Sequence, residues 1–270
     1  MKALALAFLF IAFNIFSHGQ QLDEAKFKTI KVDGLDRISV DNRGNVFYSD
    51  KKGNVFKLDT SGEIVNHYSP SFQGRLNQLD AFSTMILFLF SSDLQQVTLL
   101  DSHLAPIQTI SFQDEDIGLV KAASLGNGQV FWLFDEVDLS LKKYDYRRGE
   151  ILQVQPLLPF VGDDGMEVTE ILERDNLVLV HLRDHGLLVF DNQGNFIKRH
   201  AFSFDHPLAI YDGQGYFFEG LQLYRFDIHS GDRSMIESPE FPVHRIAVSP
   251  RHLLMYSDGT LFFLPLANLN

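Results

Sequence analysis

The chain has 270 residues, of which 45% are hydrophobic, so it can form one large domain with a sizeable core. It contains no cysteine, which excludes disulfides, thiol catalysis, thiolate metal sites and lipid attachment through a lipobox cysteine. Its net charge of −12 disfavours nucleic acid and anionic membranes as partners. The 25 phenylalanines favour half-buried strands.

Residues 1–19 have the pattern of a secretory signal peptide. Lys2 gives a positive start, residues 3–13 are an uncharged apolar run, and Ser17 and Gly19 are small residues just before a cut at Gln20. A buried first helix or a membrane anchor is the alternative, but the run is too short to span a bilayer comfortably. We therefore expect export to the periplasm, cell envelope or extracellular space, with no transmembrane anchor after cleavage, and a single domain over residues 20–270.

The rest of the chain contains a repeat of about forty residues. Its clearest copy has short strands predicted at 38–41, 46–50, 54–59 and 63–65, separated by turns that contain Gly44, Gly53 and Gly62. Gly-containing turns between alternating apolar runs are the usual signal of β-hairpins. The pattern predicts a meander of four antiparallel strands in each unit.

The third strand of each unit ends in an apolar residue followed by Asp. The copies of this Asp are 36 to 46 residues apart, and they are Asp59, Asp101, Asp145, Asp191 and Asp227. A glycine follows each within the turn, except after Asp101. We expect these Asp side chains to accept hydrogen bonds from turn amides, with Gly supplying a positive φ, so we interpret them as structural.

The two ends of the chain carry complementary pieces of one unit. The last unit, which begins at Arg245, has three strands, at 245–248, 253–256 and 260–264, while residues 27–32 form an alternating strand without a partner of its own. Pairing them completes a sixth unit and removes exposed sheet edges. We therefore predict an all-β fold, a six-bladed β-propeller of four-stranded antiparallel blades, with the last blade completed by the N-terminal strand. The alternatives are an open sandwich, which does not explain the period, and five blades, should the apolar run at 85–90 not be a strand.

The segments at 41–50 and 53–59 resemble blades of the NHL-repeat and gluconolactonase-like six-bladed propellers. The Trp-Asp dipeptide typical of WD40 blades is absent from the sequence. The resemblance implies a propeller, and it leaves open a scaffold, a ligand binder or a calcium-dependent lactonase.

Acidic residues concentrate on loops that a propeller would place on one face. These loops join second to third strands and one blade to the next, and Arg183, Lys51 and Lys52 are their clear basic exceptions. The predicted binding residues are Asp50, Asp93, Asp114, Glu115, Asp116, Asp135, Asp163, Asp164, Glu167, Asp184, Glu219 and Asp258. Turn chemistry, with ring packing by the aromatic residues that precede several of these acids, explains the same pattern without a function.

Catalytic motifs are scarce. The sequence has no Gly-x-Ser-x-Gly elbow, no His-Glu-x-x-His pair and no phosphate-binding glycine loop. Asn77, Asp80 and Glu170 fall near the starts of predicted innermost strands, where oxygen ligands for calcium could converge. Ordinary polar residues of strands are the alternative interpretation, and no other cofactor is predicted.

Three functions remain open. We favour a non-enzymatic module, monomeric, that binds the basic or polar segment of a protein partner through its acidic loop face. The alternative is a calcium-dependent lactonase or esterase-like hydrolase, and the third is recognition of a carbohydrate or small molecule in the channel. Carboxylates that converge in the channel would favour the enzyme, whereas a channel filled by apolar side chains would favour the scaffold.

Overall fold

The computed structural model describes residues 27–83, 85–113, 117–161, 166–183, 185–202, 204 and 208–269. The predicted signal peptide lies outside them. The described residues form six sheets, each of four antiparallel strands. This confirms the predicted six-bladed propeller.

The first three blades follow one another along the chain, and the strands of each are given from the central axis outward. Blade 1 consists of Arg37–Val40, Val46–Ser49, Val55–Leu58 and Ile64–Tyr68. Blade 2 consists of Gln78–Asp80, Ile86–Ser91, Gln96–Asp101 and Pro106–Ser111. Blade 3 consists of Val120–Gly126, Val130–Asp135, Ser140–Asp145 and Glu150–Pro156.

The remaining blades repeat the arrangement, with a short helix at Leu158–Val161 before blade 4 and a 3₁₀ turn at Leu266–Asn268 after blade 6. Blade 4 consists of Val168–Arg174, Leu177–Leu182, Gly186–Asp191 and Phe196–His200. Blade 5 consists of Ala209–Tyr211, Gln214–Glu219, Gln222–Asp227 and Arg233–Met235. Blade 6 consists of Arg245–Val248, His252–Ser257, Thr260–Pro265 and the N-terminal strand Lys28–Lys31.

The N-terminal strand closes the ring as predicted. It pairs antiparallel with the third strand of blade 6, with Lys28 opposite Phe263 and Lys31 opposite Thr260. Ile30 is buried in a core cluster that also contains Leu261. The seam between the two ends of the chain is therefore held both by strand hydrogen bonds and by apolar burial.

The Asp turns after the third strands also form as predicted. The Asp59 carboxylate accepts hydrogen bonds from the backbone N–H groups of Ser61, Gly62 and Glu63 at 2.8 to 3.0 Å. After Asp101, where glycine is missing, Leu104 adopts the positive φ instead, at 63°, and its side chain is buried. Burial of the leucine side chain offsets the strain of that backbone conformation.

The core lies between neighbouring blades. Large rings fill it, for example Phe88 of blade 2 and Phe131 of blade 3, whose centroids are 5.4 Å apart. Trp132 is buried, and its indole N–H donates to the buried Glu173 carboxylate. Across the described part of the chain, we find no helix long and apolar enough to pass through a membrane.

Candidate functional site at the channel mouth

A cavity of about 780 Å³ opens at one end of the central channel. Its walls come from the starts of innermost strands in blades 1, 2, 3, 4 and 6, and from the ends of second strands in blades 3 and 4. The loops around it are those that join second to third strands and one blade to the next. We call this side of the ring the mouth face and the other side the opposite face. The volume lies within the range of small-molecule sites.

Three arginines at the cavity share one buried carboxylate, that of Asp36. Arg75 binds it with two hydrogen bonds, from Nε and Nη2, each of 2.7 Å. Nη2 of Arg245 lies 3.5 Å from Oδ1 of Asp36, and Nη1 of Arg37 lies 3.8 Å from the same oxygen. The three guanidinium groups come from blade 6, blade 1 and the loop between blades 1 and 2, so this cluster joins the blades on both sides of blade 1. We call these four residues the arginine cluster.

The charges of the arginine cluster keep Asp36 ionised. Burial by itself would raise the pKa of the Asp36 carboxyl, but the hydrogen bond from Arg75 and the charges of the three arginines lower it below its ordinary value. Burial lowers the pKa of the Arg37 and Arg245 guanidinium groups. The charge of Arg245 lowers that of Arg37 further, which shows that the arginines repel one another.

Two more cations of the cavity each have an acidic partner of their own. Lys121 lies 3.2 Å from Glu136, and Arg183 lies 2.7 Å from Glu167. All four side chains are largely exposed. These pairs are therefore screened by solvent and contribute little to stability.

Glu170 lies below the arginine cluster, where the cavity meets the channel. Its carboxylate accepts a hydrogen bond of 3.0 Å from the backbone N–H of Leu208. Burial raises the pKa of the Glu170 carboxyl to about 7. Glu170 can therefore hold or release a proton near neutral pH.

His181 forms another part of the cavity wall. Its ring stacks on Phe204 with centroids 3.7 Å apart, and Nδ1 lies 2.6 Å from Oγ1 of Thr169. Burial lowers the pKa of His181 to about 4, so the imidazole is neutral at physiological pH. Its buried Nε2 has no hydrogen-bond partner within the described part of the chain.

The channel below the cavity is narrow and mostly apolar. It encloses about 70 Å³ between side chains of the innermost strands, among them Ile38, Leu172 and Val248. At the opposite face Arg174 bridges to Asp80 at 2.8 Å and stacks on Phe82, with its guanidinium carbon 4.3 Å from the ring centroid. Gln78, Asp80, Glu170 and Arg174 also line it, so the channel is not filled by apolar side chains alone.

The predicted acidic residues of the mouth face lie in different environments. Asp93, Glu167, Glu219 and Asp258 are exposed, whereas Asp50 is partly buried and accepts turn hydrogen bonds from the N–H groups of Lys52 and Asn54. Glu219 pairs with Arg233 at 3.3 Å, and Asp258 pairs with His244 at 3.2 Å. Six of the predicted residues lie outside the described residues, namely Asp114, Glu115, Asp116, Asp163, Asp164 and Asp184.

Asp135, also predicted to belong to the binding face, is buried and structural. Its carboxylate accepts hydrogen bonds from the N–H groups of Gly118 and Leu119, at 2.8 and 3.1 Å, and from the Lys142 ammonium. Because donors inside the protein satisfy the Asp135 carboxylate and the side chain is buried, Asp135 is not part of a binding surface.

The three predicted calcium ligands do not converge on one point. The Asp80 carboxylate is already paired with Arg174. The side-chain oxygen of Asn77 accepts a hydrogen bond of 2.8 Å from the Ser92 N–H. Neither oxygen is therefore available to bind a cation together with Glu170. Among the described residues, no group of three His, Asp or Glu side chains is arranged to hold a metal ion. The donor set of these three residues therefore does not fit a calcium site.

Sequence reasoning missed the arginine cluster and the exposed apolar side chains of the mouth face. Arg37 and Arg245 occupy the same position, the first residue of an innermost strand, and this shared position was the available signal. Leu158 is exposed at the first residue of the short helix between blades 3 and 4, and four more large apolar side chains are exposed on loops of the mouth face: Phe72, Leu119, Val137 and Leu221. They occur singly in loops, where no periodicity marks them.

No protein-family model matches the chain, and no curated protein matches it by sequence. Solved structures share its fold. The Neurospora crassa Pan2 WD40 domain has a TM-score of 0.63 at 10% identity, over 90% of this chain and 96% of that one. A chain of the mitotic checkpoint complex has a TM-score of 0.60 at 12% identity, over 98% and 99%. Streptogramin B lyase has a TM-score of 0.60 at 16% identity, over 86% and 81%, and is a propeller of the kind that the sequence resembles. Similarities at these identities show the fold alone.

Proposed function

We propose that the protein is an exported, non-enzymatic interaction module that binds a protein partner through its mouth face. The one-sided distribution of exposed apolar side chains on its loops carries the proposal. Four lie on loops of the mouth face, at positions 72, 119, 137 and 221, and Leu158 begins the short helix between blades 3 and 4, whereas Met85 is the one large apolar side chain so exposed on the described loops of the opposite face. Protein interfaces combine such apolar contacts with a polar rim.

Acidic residues supply the polar rim. Glu136 and Asp138 flank Val137, and Glu219 lies two residues before Leu221. All three carboxylates are exposed. A rim of this sign attracts a basic or polar segment of the partner and orients it as the two proteins approach. The acids predicted for this face at 114–116, 163–164 and 184 lie outside the described residues, and the proposal includes them.

The propeller similarity supports a binding role. One structure with this fold is a WD40 domain, and another is a chain of a complex of several proteins. The closed ring, the apolar channel and the many loops suit a rigid scaffold whose loops carry the specificity.

Paired substitutions on the two faces test the proposal. The double variant V137D/L221D introduces two negative charges into the apolar contacts of the mouth face, and M85D introduces one on the opposite face. Tagged protein is used to isolate a partner from the envelope or secreted fraction, and the affinity of the purified partner is then measured for each variant. We expect binding to weaken by about tenfold or more in V137D/L221D and to be unchanged in M85D. Equal binding by all three proteins would remove the mouth face as the docking surface.

Export and oligomeric state are tested on the same preparation. Sequencing of the N-terminus of the processed protein should begin at Gln20, and light scattering should give the mass of a monomer. Recovery of the full chain, beginning at Met1, from the cytosol would contradict export.

A lactonase or esterase-like hydrolase is the second candidate, and Glu170 is the observation that favours it, although Asn77, Asp80 and Glu170 do not form a calcium site. A carboxyl group with a pKa of about 7 at the base of a cavity suits general acid–base chemistry. A metal that binds only the native state must raise the melting temperature, so thermal unfolding with calcium and with a chelator tests whether the protein binds calcium. The absence of a shift at millimolar calcium would count against a calcium-dependent hydrolase.

A further inference from the structure

The arginine cluster has more positive charge than its own carboxylate neutralises. Lys121 and Arg183 of the same cavity are each paired with one acid, whereas three guanidinium groups share Asp36. Two other acids act on the cluster: Glu170 on Arg37, and the exposed Asp93 on Arg75. Glu170 is only partly ionised at neutral pH and Asp93 is screened by water, so an excess of positive charge remains at the cluster.

Two of the arginines are held firmly by backbone carbonyls. Arg37 donates from Nε to the Asn77 carbonyl at 3.1 Å. Arg245 donates to the carbonyls of Asp36 and His244, each at 2.6 Å. Because these bonds fix the guanidinium groups in place, little further conformational entropy is lost when a ligand binds them.

The arginines also keep surface that faces the cavity. The Arg75 side chain is 50% exposed and those of Arg37 and Arg245 are 21% and 22% exposed, although Asp36 itself is 2% exposed. Within the described residues, neither Nη2 of Arg37 nor Nη1 of Arg75 donates a hydrogen bond. A guanidinium group with free N–H donors binds the paired oxygens of a carboxylate or phosphate group.

We propose that Arg37, Arg75 and Arg245 form a binding site for the oxyanion group, carboxylate or phosphate, of a small molecule that enters the cavity at the mouth face. The Asp36 carboxylate holds the three arginines from the protein side, and the ligand's oxyanion binds them from the cavity side. This site does not require the protein partner of the proposed function, since the anion binds residues of this chain alone.

Calorimetric titration with citrate and with inorganic phosphate tests the site, with sodium chloride matched for ionic strength as the blank. We expect saturable binding of at least one of the two anions below about 10 mM. Tighter binding of citrate assigns a carboxylate ligand, and tighter binding of phosphate assigns a phosphate ligand. Failure of both to bind the wild-type protein overturns the proposal, whatever the variants do.

Two arginine variants locate the site. R75Q removes the most exposed member of the cluster, and R183Q removes a somewhat more exposed arginine of the same cavity that is paired with Glu167. The loss of a charge-assisted hydrogen bond should weaken anion binding by about tenfold or more in R75Q, whereas R183Q should bind like the wild type. Equal weakening in both variants, or none in R75Q, would show that the anion does not bind at the cluster. Melting temperatures without anion check that both variants fold, and R37Q replaces R75Q should that variant unfold.

Discussion

Asp59 follows the third strand of blade 1 and Asp36 precedes the innermost strand of the same blade, yet their carboxylates stabilise the fold in different ways. The Asp59 carboxylate bonds residues two to four positions further along the chain, at the opposite face. The Asp36 carboxylate bonds Arg75 and Arg245, which are 39 and 209 positions away, at the mouth face. Bonds within one turn therefore hold Asp59, while contacts between blades hold Asp36 at the cavity.

The two carboxylates therefore illustrate two kinds of contact, one within a turn and one between blades. The Asp59 carboxylate satisfies the backbone of its own turn at the opposite face. The mouth face brings together charges from separate blades, and a pocket forms where they meet. Substitutions in the two regions should accordingly change different properties.

The largest effect is expected where the two ends of the chain meet. I30D places a charge at a buried position in the strand that completes blade 6. We expect the free energy of unfolding to fall by about 3 to 5 kcal/mol, measured by urea denaturation. The control is T29D, at the exposed neighbouring position of the same strand, which should cost much less. Equal losses in the two variants would mean that burial of Ile30 does not hold the seam.

Loss of the Asp36 carboxylate should have the next largest effect. D36A leaves three arginines around an empty position, so we expect a loss of about 2 to 4 kcal/mol in the free energy of unfolding. D191A, which removes a carboxylate with partners inside its own turn, should cost less.

Chemical rescue sharpens the comparison between these two variants. Acetate can occupy the position of the missing carboxylate in D36A and bind the arginines there. We therefore expect acetate to raise the melting temperature of D36A more than that of D191A or of the wild type, with chloride as the control salt. The same response in D191A would show that acetate acts generally on the protein.

The pH dependence of stability should show a smaller effect of Glu170. Its pKa is about 7 in the folded protein and 4.5 ordinarily, so between these values the unfolded chain loses a proton that the folded protein keeps. The free energy of unfolding therefore falls as the pH rises through this window. E170Q has no such proton, and we expect it to exceed the wild type by on the order of 1 to 2 kcal/mol at pH 8.

The stability advantage of E170Q should shrink towards pH 4.5, and an advantage that does not vary with pH would contradict the assignment of the raised pKa to Glu170.

His181 should change stability with pH in the opposite direction. Its pKa is about 4 in the folded protein and 6.5 ordinarily, so the unfolded chain binds a proton that the folded protein does not. Its contribution to stability is lost as the pH falls below 6.5, and H181Q should reduce that loss.

The smallest effect is expected from a purely local change at the opposite face. Gly44 has a φ of +87°, and a Cβ atom placed on it would meet no atom within 4 Å. G44A therefore tests backbone strain alone, and we expect a loss of about 1 kcal/mol with unchanged binding of partner and anion. A loss of binding in G44A would contradict the separation of the two faces.

The sequence was sufficient to predict the blades because their signals are local. Asp59 and Gly62 lie in one turn, and the pieces at residues 27–32 and 245–264 are each recognisable as part of a blade. The cavity could not be predicted in the same way, since Arg75 and Arg245 meet at Asp36 only through the closed ring. Asp135 was misplaced for the same reason, because its partners Gly118 and Lys142 fix it inside the protein.

Photo-crosslinking tests the central claim, that the mouth face is the docking surface, most directly. A photoreactive amino acid is placed at Val137 on the mouth face in one protein and at Met85 on the opposite face in another, and each is irradiated with the isolated partner. The account predicts a covalent adduct with the partner from position 137 and none from position 85. An adduct from position 85, with none from position 137, would contradict it.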